Sequence, residues 1–114
     1  MRAVLKIFKA LSDGQRLRIL KMLEIRPLCV CEITDVLQLA SSTVSKHLSI
    51  LREADLVIDD KDGKWVNYSL NTSAQEQYIN QILPLIAQWL PDDTTVLRDA
   101  EKVQAVDRNM ICGV

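Results

Sequence analysis

Apolar residues keep a helical rhythm through the first half of this chain. From Arg2 to Ala54 they recur every three or four positions, the spacing of helices that bury one face. Arg2 to Leu11 carries Val4, Leu5, Phe8 and Leu11 in that pattern. Ser12-Asp13-Gly14 stops this helix and offers capping oxygens to the next. Gln15 to Glu24 follows, with Leu17, Leu20 and Leu23 as its buried line and Arg16, Arg18 and Lys21 expected outside. Pro27 prevents continuation. Val30 to Leu37 reads as a short helix with Val30, Ile33 and Leu37 on one side. The link Gln38-Leu39-Ala40 leaves room only for a tight corner before Ser41 to Ala54. There Val44, Leu48 and Leu51 line up at i, i+4 and i+7 and must be buried, while Ser42, Ser45, Lys46, Ser49 and Glu53 face away.

After Asp55 the period changes. Leu56-Val57-Ile58-Asp59 and Trp65 to Leu70 are strand signals, and Asp62-Gly63 between them is a hairpin-turn dipeptide flanked by Lys61 and Lys64. Helical spacing returns from about Ala74 to Leu90 through Ile79, Ile82, Leu83, Ile86 and Leu90, with a kink expected near Asn80 to Pro84. Residues 92–114 form a polar tail that either folds as a short helix or stays mobile.

Two short helices joined by a tight corner, the second with small polar groups outside, match a helix-turn-helix. The same spacing also fits an ordinary helical hairpin with a solvated face. The hairpin that follows sits where a wing would, and its lysines are placed either to touch phosphate or merely to be solvated. The expected fold is mainly α with a small β-hairpin. It is a winged helix-turn-helix over residues 1–91, followed by the tail over 92–114. The first and last helices, the latter ending at Leu90, look surplus to so small a core. Their apolar lines suggest a two-fold homodimer, with capping of the monomer core as the alternative.

Net charge is −1, which taken alone argues against a nucleic-acid partner. Its distribution argues otherwise: nine Lys/Arg stand against four Asp/Glu up to Arg52, and five against eleven from Glu53 onward. No apolar run approaches the ~20 residues of a membrane span, and the start lacks a secretory signal, so a cytoplasmic protein without a membrane partner is expected. One histidine, no glycine-rich phosphate loop and no nucleophile beside a base exclude the common enzyme classes.

Three cysteines, an odd number, favour reduced thiols, metal ligands or buried fillers over a disulfide framework. Cys29 and Cys31 stand at the start of the helix before the corner. Two helical steps separate side chains by about 200°, so both can grip one ion only if the first turn is not helical. Closing on an ion would then distort that helix and shift the one after it. The helix N-terminus would lower the thiol pKa, and two thiolates select soft ions. Small core fillers are the alternative. His47 is expected to pack or to meet phosphate rather than bind metal.

Phe8-Lys9-Ala10-Leu11-Ser12-Asp13, Arg16 to Leu20, Leu28-Cys29-Val30-Cys31-Glu32-Ile33 and Ser42 to Leu48 resemble the ArsR/SmtB family of winged-helix repressors. The Asp62-Gly63-Lys64 turn and Tyr68-Ser69-Leu70 are similar too, so the resemblance spans about residues 3 to 90. It implies a homodimer that represses its own resistance operon, bound at an inverted repeat in double-stranded operator DNA, and leaves when a toxic metal or metalloid binds. It places DNA contacts on Ser41, Ser42, Ser45 and Lys46. With the outer face and the wing, the expected DNA-binding set is Ser41, Ser42, Ser45, Lys46, His47, Ser49, Lys61 and Lys64.

The Leu-Cys-Val-Cys stretch is similar to the thiolate motif of arsenite/antimonite and cadmium/lead sensors. It implies Cys29 and Cys31 as inducer ligands, with no obligatory cofactor. The third cysteine of many arsenic sensors is replaced here by Thr34, and residues 1–28 hold no thiol of the cadmium/lead type. Ala74 to Leu90 has no histidine and only Glu76 as a carboxylate, so zinc at the last helix is not expected. Cys112 in the tail is the remaining thiol, giving a candidate three-sulfur site for As(III) or Sb(III), with Cd(II) or Pb(II) as alternatives. A dithiol redox or sulfur sensor of the same fold, and a winged-helix protein-interaction module, are the competing readings.

Overall fold

A computed structural model of the chain describes residues 1–111. The elements follow in the order α1 (Arg2–Leu11), α2 (Gly14–Leu23), β1 (Leu28–Cys29), α3 (Val30–Leu37), α4 (Ser41–Glu53), β2 (Val57–Asp62), β3 (Trp65–Leu70), α5 (Gln77–Gln88), α6 (Thr94–Ala105) and α7 (Arg108–Ile111). The sheet is antiparallel in the order β1-β3-β2. The β2–β3 hairpin is the wing of a winged helix-turn-helix.

The core gathers Ile19, Leu20 and Met22 of α2, Ile33 and Val36 of α3, and Val44, Leu48 and Leu51 of α4. Leu28, Leu56, Ile79 and Ile86 complete it. The expected stripe on the Ser41 helix is thus buried as a line. In α1 the inner positions are Ile7 and Ala10, whereas Leu5 and Phe8 are more than half exposed.

Arg16 and Lys21 depart from the outward placement the sequence suggested; both are buried. Each satisfies carbonyls at the end of another helix, which such a terminus leaves without partners. Arg16 Nε donates to Ala10 O at 2.8 Å and Nη2 to Lys9 O at 3.1 Å, closing the end of α1. Lys21 Nζ donates to Ile86 O at 2.9 Å near the end of α5 and pairs with Glu24 at 3.0 Å. α2 itself starts on Asp13, whose carboxylate accepts from the Gln15 and Arg16 amides.

The corner between α3 and α4 turns on Gln38, in the left-handed region at φ 58°, with its amide bonded to Thr34 O at 2.8 Å. The hairpin strands run longer than the sequence suggested. Asp62 pairs with Trp65, so the two-residue loop is Gly63-Lys64, with Gly63 at φ 62°. Glycine first in such a loop supplies the positive φ at no steric cost. α5 starts at Gln77 and contains Pro84.

Beyond Pro91 the chain folds back. α6 is a full helix capped by Asp93 and packed on α2 and α3. Its Val103 is in the core, and its buried Asp99 takes both Nε and Nη2 of Arg18, at 2.8 and 2.9 Å. No described helix is long and apolar enough to cross a membrane.

Candidate DNA-reading face and sulfur pair

The α4 outer surface is open. Ser41, Ser42, Thr43, Ser45, Lys46 and Ser49 are all exposed, and no side chain caps the first turn. Short hydroxyl side chains let a helix backbone approach phosphates and base edges. Thr43 extends the expected set. Its hydroxyl was legible, but it adjoins Val44 and was not assigned to the outer face. At the wing tip Lys61 and Lys64 are exposed, and Lys64 Nζ lies 5.0 Å from the Trp65 ring centroid.

His47 is half-buried and turned toward α2. Arg16 Nη1 reaches its Nδ1 at 3.2 Å. A guanidinium only donates, so the neutral ring accepts there and keeps its proton on Nε2. One edge of His47 thus braces α4 against α2.

The uneven charge is largely spent inside the protein. Of the nine cations up to Arg52, Arg16, Arg18, Lys21, Arg26 and Arg52 are hydrogen-bonded to carbonyls or carboxylates. Arg2, Lys6, Lys9 and Lys46 remain exposed. Lys46 is the one at the centre of the α4 outer surface.

The sulfurs are arranged differently from the expectation of opposed side chains. Cys29 is the N-cap of α3, with extended backbone at φ −87° and ψ 167°, and pairs with Asn67 in the sheet. Cys31 lies inside the first helical turn. The step between them is therefore not helical, and the sulfurs lie 3.3 Å apart. Two bonds of about 2.3 Å, the zinc–thiolate length, easily span that gap. Closing on an ion needs no unwinding of α3.

Glu32 holds this geometry. Its Oε1 accepts the Cys29 amide at 3.0 Å, one half of a capping box whose other half brings the Cys29 sulfur to the Glu32 amide. Its Oε2 accepts from Arg26 at 2.9 Å. Both oxygens of Glu32 are thus engaged. Burial pushes the Cys29 thiol above its ordinary pKa, aided by the Glu32 carboxyl and opposed by the backbone amides. This reverses the expected lowering at the helix start. Among the described residues no three His, Cys, Asp or Glu side chains converge on one point, so the pair needs a further donor to enclose an ion. Cys112 lies outside the described residues.

The model of bacterial regulatory proteins of the arsR family matches residues 13–59, from the α2 cap into the wing. The arsenical resistance operon repressor of Escherichia coli K12 is 37% identical over 93% of this chain and 83% of its own length. This chain belongs to the arsR family. The arsenic resistance regulator ArsR1 of Pseudomonas putida is 33% identical over 94% of this chain and 85% of its own. Among solved structures, reduced HlyU from Vibrio cholerae superposes with a TM-score of 0.66 at 28% identity, covering 80% of this chain and 92% of the other. The chain is a DNA-binding transcription regulator of winged-helix type and not an enzyme.

Proposed function

We propose that this protein represses a resistance operon and is released from its operator when a soft thiophilic ion binds Cys29 and Cys31. As(III) or Sb(III) is the favoured inducer, with Cd(II) or Pb(II) the alternatives. The observation that carries this is the 3.3 Å approach of the two sulfurs at the start of the helix preceding the α4 reader. Two sulfurs at that separation suit a soft ion rather than magnesium or calcium. The arsenical repressor relatives support the same class of inducer. Cys112 is assigned as the third sulfur. It directly follows α7, which packs on α3.

Ser41, Ser42, Ser45, Lys46 and Ser49 read the major groove, Lys61 and Lys64 hold phosphates, and His47 braces the reader. Two copies joined through α1 and α5 place two readers about 34 Å apart on an inverted repeat. The joining surface is the exposed apolar set Leu5, Phe8, Tyr78, Leu85 and Trp89. Phe8, Tyr78, Leu85 and Trp89 line one groove of about 250 Å³. The protein works in the cytoplasm.

Reduced protein on its own promoter DNA, titrated separately with arsenite, antimonite, cadmium, lead and zinc, tests this. Release by arsenite or antimonite at the lowest concentration is expected. Indifference to all five ions would overturn it. A second reading follows from the same sulfur approach: oxidation of the pair, rather than an ion, frees the DNA. Release by peroxide with arsenite inert selects that reading.

A further inference from the structure

The segment after α6 does more than end the chain. It crosses from the sulfur pair to the wing and is tied down at both places. At the first, Arg26 Nη2 donates to Val103 O at 2.9 Å and Val106 O at 3.1 Å, the closing carbonyls of α6. The same guanidinium holds Glu32, which holds the Cys29 amide. At the second, Arg108 Nη1 donates to Asn67 Oδ1 at 2.9 Å, and Asn67 is the sheet partner of Cys29. Arg108 Nη2 reaches Asp62 at 3.4 Å beside the wing turn, and its guanidinium lies 5.0 Å from the Trp65 ring centroid. Lys64 lies at the same distance from that ring. A cleft of about 630 Å³ runs between the ties, lined by Arg26, Glu32, Asn67, Val106 and Arg108 among others.

We propose that residues 103–108 form a strap that transmits the state of the sulfur pair to the wing, with Arg26 and Arg108 as its positioning residues. This rests on the sensing reading above. Arg26 fixes the strap to the acidic side chain that orients Cys29. Arg108 fixes it to the hairpin that carries Lys61 and Lys64. A third sulfur drawn onto the pair pulls on a chain whose preceding residues hold the wing by cation–π and hydrogen-bond contacts. The wing tip then moves although no ion touches it. The α4 reader is served separately, through the helix that Cys29 caps.

The test compares the parent protein with Arg108→Gln, which removes the charge and the fork. Trp65→Leu removes the ring from the other side and gives a second route should the first variant fold poorly. Two quantities are read in each: arsenite bound per chain, and the arsenite concentration that frees half of the operator DNA. The strap predicts that both variants bind arsenite as the parent does and hold operator within about twofold of the parent without it. It predicts a release midpoint at least tenfold higher. Arg108→Lys, which keeps the cation over Trp65, recovers part of the response. Release of both variants at the parent's midpoint overturns the strap and leaves the sensing reading standing. Loss of arsenite binding in the variants also overturns it, since these residues would then build the site rather than report on it. A parent that neither binds arsenite nor releases DNA overturns the sensing reading, and the strap with it.

Discussion

Cys29 and Cys31 bring their sulfurs within 3.3 Å because only one of them is inside the helix. Cys29 ends a two-residue strand paired through Asn67, and its extended backbone turns the side chain over the first turn of α3. The usual cap residues are serine, threonine, aspartate and asparagine. A cysteine in that place exchanges a strong hydroxyl acceptor for a sulfur that an ion can take. The start of the helix-turn-helix and the sulfur pair are thus one object, and what binds the sulfurs acts on the helix cap.

Lys46 carries the exposed charge at the centre of the reader, and its removal tests whether that surface meets phosphate. Lys46→Ala should weaken operator binding by a similar factor on specific and scrambled DNA and reduce the slope of log K against log salt by about 1. Binding measured at several salt concentrations checks both.

The joining surface predicts a different kind of failure. Phe8 is 66% exposed on α1, beside Leu85 and Trp89 of α5. Phe8→Glu should give a folded monomer by sedimentation, with unchanged helical content. Its operator affinity should drop at least a hundredfold, because one half-site is then read without the other.

Asp13 links stability to pH. Burial works to raise its carboxyl, but the Gln15 and Arg16 amides and the Arg16 charge outweigh it, and the group is held below its ordinary value. The folded form therefore favours the carboxylate. The stability it contributes is complete above the ordinary carboxylate range and is lost as pH falls through the lowered value. Asp13→Ala should cost about 1 kcal/mol at neutral pH, the usual worth of such a cap. That difference should shrink on acidification. Urea unfolding at neutral pH and near pH 3 checks this.

Periodicity made the winged helix-turn-helix legible, since Val44, Leu48 and Leu51 face inward whatever surrounds them. It could not show that Arg16 and Lys21 turn inside, because their partners are carbonyls at the ends of α1 and α5. Nor could it place Cys29. A strand as short as β1 exists only through its pairing with β3, almost forty residues away in sequence. The α6 helix did leave a signal: Asp93 as a cap, then Val96, Ala100 and Val103 at helical spacing. Polar residues between them hid it. Asp99, which reads as one of those surface residues, is buried on Arg18.

The most direct measurement is operator release by Cys29→Ser under arsenite. Serine is a good N-cap and keeps the acceptor toward the Glu32 amide, so α3 should start as before, with stability within about 1 kcal/mol of the parent. DNA affinity without arsenite should also be retained. The account predicts that this variant stays on its operator at a hundred times the arsenite that frees the parent. Release of Cys29→Ser at the parent's concentration would contradict it.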